Sequence, residues 1–462
     1  MNIRYLFPSL LVLFLLQACG DDFLNLTPVS APNVTNFYQT ENDVRNAVNA
    51  AYSTLQSGDL YGGRDLSDLT EYRGDIAFDN DPSASSGIRF NIDRFLAGST
   101  NEIIEDVWQR LYQTIYRCNL VLDRLPEVVM STEAAQQYEG ELRFVRALAY
   151  FHAVQLWGPV PLVLTADDTE TSRLHLRQPV PEVYAAIEQD LDFAATALPA
   201  SWPAAETGRA TAGASRGLLG KVYLTQGDYG RAAGALETVV ESQVYRLLPS
   251  VAEVFDPANE YNEEILFAVV FTTANTAEEH GYFFNSAIGD FIEPTYRSSF
   301  REGDERAATI ELITPPGTAT LVPAKYFEER STTGNVGTDF PVLRYADVLL
   351  MLAEALNEEG YSPDGPALGY LNAVHTRAGL PAYTPAELPD QLAFRNAVLQ
   401  ERCWELPLEN HRWYDLLRTG RASSALAAVG IDISNDDLLF PIPNSQVLIY
   451  DNPDGFAQNP GY

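Results

Sequence analysis

Lysine is nearly missing from this chain of 462 residues: Lys221 and Lys325 are the only two, and arginine supplies the rest of the 30 basic residues set against 63 acidic ones. The formal charge of −33 at pH 7 creates a field that repels nucleic acid, anionic lipid and polyanionic substrates. Nucleic acid is thereby excluded as a partner. Cysteine is scarce too. Cys19, Cys118 and Cys403 are the whole set, too few for a disulfide scaffold and without zinc-type Cys/His spacing. Of the five histidines, His152 and His375 lie in helical patterns with no partner at ligand spacing, so core or surface histidines are the default. No metal and no cofactor is expected. Long apolar runs are absent after residue 16, so no segment of the body is expected to cross a bilayer as a helix.

What is present begins at the N-terminus. One basic residue, Arg4, precedes the apolar run 5–16, and Leu16-Gln17-Ala18-Cys19 follows. That order has the shape of a bacterial lipoprotein signal peptide over residues 1–18 ending in a lipobox. The mature chain then starts at Cys19, whose thiol takes a diacylglyceryl group; several acyl chains on one residue anchor a protein stably. An ordinary secretory signal with a chance cysteine is the alternative, and it requires four features to coincide. Loss of the leader removes Arg4 and leaves about 34 excess negative charges. Such acidity resembles a salt-adapted surface; a GC-rich genome would explain the missing lysines but not the acid excess. Cys118, beside Leu120 and Val121, and Cys403, beside Trp404 and Leu406, sit in apolar helical surroundings. Buried free thiols are the expected state, with a single disulfide as the alternative.

The dominant pattern is amphipathic helix, predicted over 41–56, 102–125, 133–157, 181–198, 212–226, 231–242, 342–359, 365–378, 392–405 and 409–418. In the seventh of these, Val342, Tyr345, Leu349, Leu352, Ala353 and Leu356 share one stripe, as a 3.6-residue period requires. Leu219, Gly220, Tyr223, Gly227, Tyr229, Ala232, Leu236 and Val239 follow tetratricopeptide spacing, in which small residues let two antiparallel helices approach closely. Leu352, Ala353, Leu356, Gly360, Ala367, Leu371 and Val374 repeat it with a longer turn. The fold expected is mainly α, a tetratricopeptide-like α-α superhelix with a loop-rich second half and minor β-structure. Gly/Pro/Asn/Asp-rich tracts at 57–101, 199–213, 249–263 and 272–337 are expected to be functional loops. Residues 264–272 alternate as a strand does, and 437–462 reads as an extended tail.

Some residues look chemical. Glu409, His411, Arg412 and Asp415 crowd one short segment, and a buried ion-pair network is favoured over a metal or acid/base site. No carboxylate pair is marked out for glycoside hydrolysis. A carbohydrate platform needs flat apolar faces with planar hydrogen-bonding groups. Tyr61, Tyr72, Arg73, Asp75, Asp79 and Asn80 in the first tract, and Tyr282, Phe283, Tyr296 and Arg297 in the fourth, supply those types, although ordinary loop packing accounts for them nearly as well.

Six segments in order carry a family resemblance: 19–28 (CGDDFLNLTP), 143–151 (RFVRALAYF) leading into 157–161 (WGPVP), 343–355 (LRYADVLLMLAEA), 377–380 (RAGL), Glu401-Arg402 through 411–416 (HRWYDL), and Pro441-Ile442-Pro443 with the ending 458–462 (QNPGY). The chain resembles SusD/RagB outer-membrane lipoproteins nearly end to end, although Cys403 replaces the usual basic residue and Pro407 interrupts a helix junction. The resemblance implies a surface-exposed, non-enzymatic binding protein, lipid-anchored in the outer leaflet of the outer membrane, with Asp21-Asp22 as its export signal. It implies a helical N-terminal region at 19–245, a C-terminal region at 246–462, and a TonB-dependent transporter of the SusC type as partner. The ligand expected is an oligosaccharide, or failing that a peptide, held between 57–101 and 272–337. A lipid-anchored protein-binding scaffold and an anchored glycosidase are the competing classes.

Overall fold

A computed structural model of the chain describes residues 37–272, 280–281, 290–314, 321–326, 335–450, 452 and 454–462. The leader 1–18, Cys19, Tyr282 and Phe283 lie outside the described residues.

The α-helices of six or more residues among the described residues are α1 (Glu41–Tyr52), α2 (Asp65–Thr70), α3 (Ile88–Asp93), α4 (Glu102–Arg124), α5 (Thr132–Trp157), α6 (Val180–Ala197), α7 (Ala212–Gln226), α8 (Tyr229–Glu241), α9 (Tyr345–Gly360), α10 (Pro366–Arg377), α11 (Gln391–Glu405), α12 (Arg412–Arg418), α13 (Ala422–Ala428) and α14 (Asn444–Tyr450). Most of the long ones start where a short polar side chain satisfies free backbone N–H groups. Thr40 and Asp43 form a capping box on α1, Asn101 accepts from Ile103 and Ile104 on α4, and Ser131, Thr211, Asp228 and Asp390 cap α5, α7, α8 and α11.

From α4 to α9 each long helix packs on the next in chain order, and α9 also carries α10 and α11. The tetratricopeptide-like pairs α7/α8 and α9/α10 therefore stack directly through α8 and α9, while the chain between them leaves the array and returns. Gly220 permits close approach of α7 and α8: a Cβ there would lie 2.5 Å from Cγ of Leu236 on α8. Gly227 closes the turn in the left-handed conformation, φ +74°. One apolar cluster runs from Val44 to Phe456 and joins both halves of the chain. Cys118 and Cys403 are buried free thiols, as expected.

Strands of three or more residues are β1 (Ala77–Asp79), β2 (Ile265–Val269), β3 (Asp290–Ile292) and β4 (Phe340–Arg344). β2 pairs antiparallel with β4, and β1 with β3. The expected strand at 264–272 is thus present as β2, but its partner occupies what the periodicity assigns to a helix. The helix predicted from 342 begins at Tyr345, because residues 340–344 spend their backbone groups on β2. Likewise α12 begins at Arg412 rather than 409, since Leu408 and Asn410 adopt positive φ angles after Pro407. The tract 57–101 is no open loop; it contains α2, β1 and α3, with many side chains buried. The tail at 437–462 carries a helix, α14, that its prolines and irregular period conceal.

Candidate functional site

The segment around residue 409 resolves into a buried charge network. Lys325 Nζ donates to Glu409 Oε1 at 2.6 Å and to the Pro407 carbonyl at 2.7 Å. Arg344 binds Glu409 at 2.7 Å, Glu264 at 3.0 Å and Glu405 at 2.6 Å. Arg306 spans Asp304 and Glu401, and His375 Nδ1 meets Glu401 at 2.7 Å. In a neighbouring cluster Lys221 and Arg402 both hold Asp347, Arg402 and Arg418 hold Asp415, and Arg412 holds Asp75. Both lysines of the chain are consumed here. Burial opposes ionisation of Glu405, but the guanidinium groups of Arg377, Arg344 and Arg306 outweigh it and bring that carboxyl down to about 2. Burial, reinforced by Lys221, brings His411 down to about 3, so it is neutral and its Nδ1 stands 2.8 Å from Lys221 Nζ. Neither group is poised for proton transfer at neutral pH. This is the ion-pair network expected in place of a metal or acid/base site.

The residues expected to bind ligand divide by exposure. Tyr61 is buried, with its hydroxyl 2.7 Å from His152 Nε2 and its ring against Phe340. Tyr72 is 2 % exposed and takes a hydrogen bond from Arg64 at 3.2 Å. Tyr296 is 5 % exposed and donates to the Cys403 carbonyl at 2.9 Å. Arg73 is sandwiched between the rings of Phe95 and Phe440, at 3.9 and 4.2 Å from their centroids. Asp79 is buried and accepts from the Asp81 amide, while half-buried Asp75 is bidentate to Arg412. Apart from half-buried Asp75, none of these offers a free face: the tracts that carry them fold inward to fill the core. Asn80 and Arg297 are exposed, and Tyr282 and Phe283 fall outside the described residues.

The structure does bring the first and fourth tracts together, through β1 and β3. The register Ala77↔Ile292, Phe78↔Phe291 sends Ala77, Asp79 and Ile292 inward, as the period of two requires. Phe78 and Phe291 remain half-buried on the outer face, with ring centroids 5.8 Å apart. Asn80 follows directly on β1. Arg94, 3.0 Å from Asp93, also bears on the charge of Glu293, and burial pushes Asp93 up to about 8 despite that arginine. Apolar rings with an exposed amide two residues along, at Asn80, suit a saccharide. The sequence signal for this pair was a mid-strand phenylalanine in each of two short apolar runs, Ile76-Ala77-Phe78 and Phe291-Ile292; only the pairing shows that they meet.

Among the described residues Asp59, Asp65 and Asp106 also gather, with carboxylate oxygens within 4.8 Å of one another. Arg110 binds Asp59 at 2.7 Å. Burial, and then the charge of Asp68, pushes Asp65 up to about 7, so a guanidinium and a proton together relieve the cluster.

Comparison with known proteins agrees with this architecture. A family model described as the SusD family matches residues 307–462, and a second, described as starch-binding associating with outer membrane, matches 22–224. Two SusD-like proteins of Formosa agariphila are 28 % and 27 % identical, over 97 % and 99 % of this chain and 95 % and 100 % of theirs. A structure described as a laminarin binding SusD-like protein superposes with TM-score 0.78 at 27 % identity, covering 92 % of this chain and 100 % of that one. A SusD superfamily protein of Bacteroides vulgatus shares the fold with TM-score 0.81 at 23 % identity, over the same shares of the two chains. The helix array, the two family models that match 22–224 and 307–462, and the full-length relatives all converge: the chain belongs to the SusD/RagB family.

Proposed function

We propose that the protein is a lipid-anchored receptor in the outer leaflet of the outer membrane that captures a neutral oligosaccharide and passes it to a TonB-dependent transporter of the SusC type. The observation that carries this reading is the pairing of β1 with β3, which places Phe78 against Phe291 on an outer face where the first and fourth tracts meet. The similarity to a laminarin-binding SusD-like protein over nearly the whole chain supports the ligand class. The charge of −33 disfavours polyanionic glycans. Catalysis has no support in the charge network, whose carboxylates are tied to arginine and lysine. Cys19 at the end of the lipobox supports the anchor, and the family supports the partner.

Calorimetry with a panel of neutral glycans that includes laminarin tests the capture step. Binding is expected, and Phe78→Ala should weaken it roughly fivefold to tenfold, the loss typical of one aromatic contact, with unchanged melting temperature. A panel that binds nowhere would sink the reading. Purification in mild detergent should bring down a large β-barrel protein, and Cys19→Ala should move the receptor to the soluble fraction; a receptor that still partitions with membranes after that change has another anchor.

A further inference from the structure

A concave surface elsewhere on the molecule shares no residue with the β1/β3 face. It is the groove of about 370 Å³ between α4 and α14, at the small end of ligand-pocket size. One wall comes from the periodicity of α4, where Trp108, Tyr112 and Tyr116 recur at intervals of four and so line one face. The inner two rings are fixed. Trp108 is buried, stacked on Tyr112 at 5.0 Å and edge-on to Trp157 at 5.0 Å, and Tyr112 donates to the Pro161 carbonyl at 2.8 Å. Tyr116, at the outer end, is 48 % exposed. Across the groove Tyr450 lies flat on Phe456, 3.8 Å between centroids and 6° between planes, and donates to the Ser172 carbonyl at 3.2 Å. Its ring is therefore held in place before any ligand arrives, which lowers the ordering cost of binding.

The polar lining decides the ligand class. Among the described residues it includes the carboxamides of Gln109, Gln113 and Gln446, and neither lysine nor arginine. The carboxylate of Asp167 is engaged by His175 Nε2 at 2.5 Å. An anionic ligand finds no counter-charge in this lining, and a cationic one would meet a carboxylate already engaged. Planar amides that both donate and accept, set beside flat rings, suit the hydroxyl rim and C–H face of a pyranose. We propose that this groove is a second saccharide site, seating a neutral sugar unit between Tyr116 and Tyr450 with Gln446 reading its hydroxyls. Gln446 is available for that role, since among the described residues its amide reaches only Ser445 Oγ, at 3.4 Å.

The inference rests on the glycan reading above, so the experiment separates the two. Full-length protein and its Phe78→Ala form are titrated calorimetrically with maltohexaose, cellohexaose and xylohexaose. Binding that survives Phe78→Ala should weaken about tenfold when Tyr116→Ala is added and should return with Tyr116→Phe, whose ring is kept. Tyr116 is exposed, so its removal should leave the melting temperature in place; Gln446→Ala, on the opposite wall, should weaken the same component independently. If wild-type binding is lost entirely with Phe78→Ala, or if Tyr116→Ala and Gln446→Ala together leave it unchanged, the groove is not a site while the receptor function stands. Absence of binding to all three probes by the wild type overturns the groove, while the receptor function is decided by the panel that includes laminarin.

Discussion

Arg344 has no solvent exposure and is surrounded by the carboxylates of Glu264, Glu405 and Glu409. Removing one partner of such a cluster leaves uncompensated charge in a medium that solvates it poorly. Arg344→Met should therefore cost about 3–5 kcal/mol, read as a fall in the free energy of urea unfolding; a change under 1 kcal/mol would mean that water reaches the cluster. Arg412→Met breaks a pair with the half-buried Asp75 and should cost less. At this scale the sequence was legible in part. The crowding of Glu409, His411, Arg412 and Asp415 announced a network, but Glu264 and Arg344, brought into contact by β2 and β4, stand 80 residues apart. The same distance problem hid the fate of Tyr72 and Tyr296. Residence in a Gly- and Asn-rich tract says nothing of whether a ring turns outward, and both turn into the core.

Between elements, the tetratricopeptide spacing was the firmest reading, because it records a packing constraint at fixed offsets. Gly220 tests it. A side chain there meets Leu236 at 2.5 Å from its first carbon, so Gly220→Val should force α7 and α8 apart and cost about 1–3 kcal/mol. A melting temperature that stays put would mean the pair is not close-packed. Element boundaries were less legible. The stripe that begins at Val342 is satisfied by a helix, yet β2 claims the backbone up to Arg344, and a pairing partner some 75 residues upstream leaves no trace in local periodicity. The tail helix α14 was missed because Pro443 precedes it and Pro453 follows, and prolines read as breaks although one just before a helix is well tolerated.

Over the whole molecule, buried ionisable groups set an unusual pH profile. Burial raises Asp65, Glu71 and Asp339 to about 7 and Asp93 to about 8, from ordinary values of 3.8 or 4.5. Between about 4.5 and 7 these four hold protons that the unfolded chain has released, so stability grows as pH falls through that window. His152 and His411 act in the opposite sense: burial lowers both from 6.5 to about 3, and their contribution shrinks as pH falls below 6.5. Four groups against two leave a net gain on acidification down to about 4.5. Below that the balance reverses, because Glu405, held near 2, and Asp415, held well below its ordinary range by Arg402 and Arg418 against its burial, lose their charge along with the two histidines gaining theirs. The excess of negative charge adds to the gain above about 4.5, since protonation relieves self-repulsion. Scanning calorimetry from pH 3 to 8 should find the highest melting temperature near pH 5. A maximum at pH 7 or above would contradict the assignment.

The sequence by itself determined the excess of acidic residues, the long helices of the array, the paired helix repeats and, through six ordered segments, the family. Each of these is written in local order, as a period, a cap or a short motif, and needs no knowledge of distant contacts. Tertiary structure alone decided which aromatic rings face outward. Tyr61, Tyr72 and Tyr296 went inward, and Phe78 and Phe291 met on the surface because pairing of β1 with β3 across some 200 residues fixes which alternate side chains of those two strands point to the core. It also decided that α14 would close a groove against α4, a juxtaposition of a helix near the start of the chain with one near its end that no local pattern encodes.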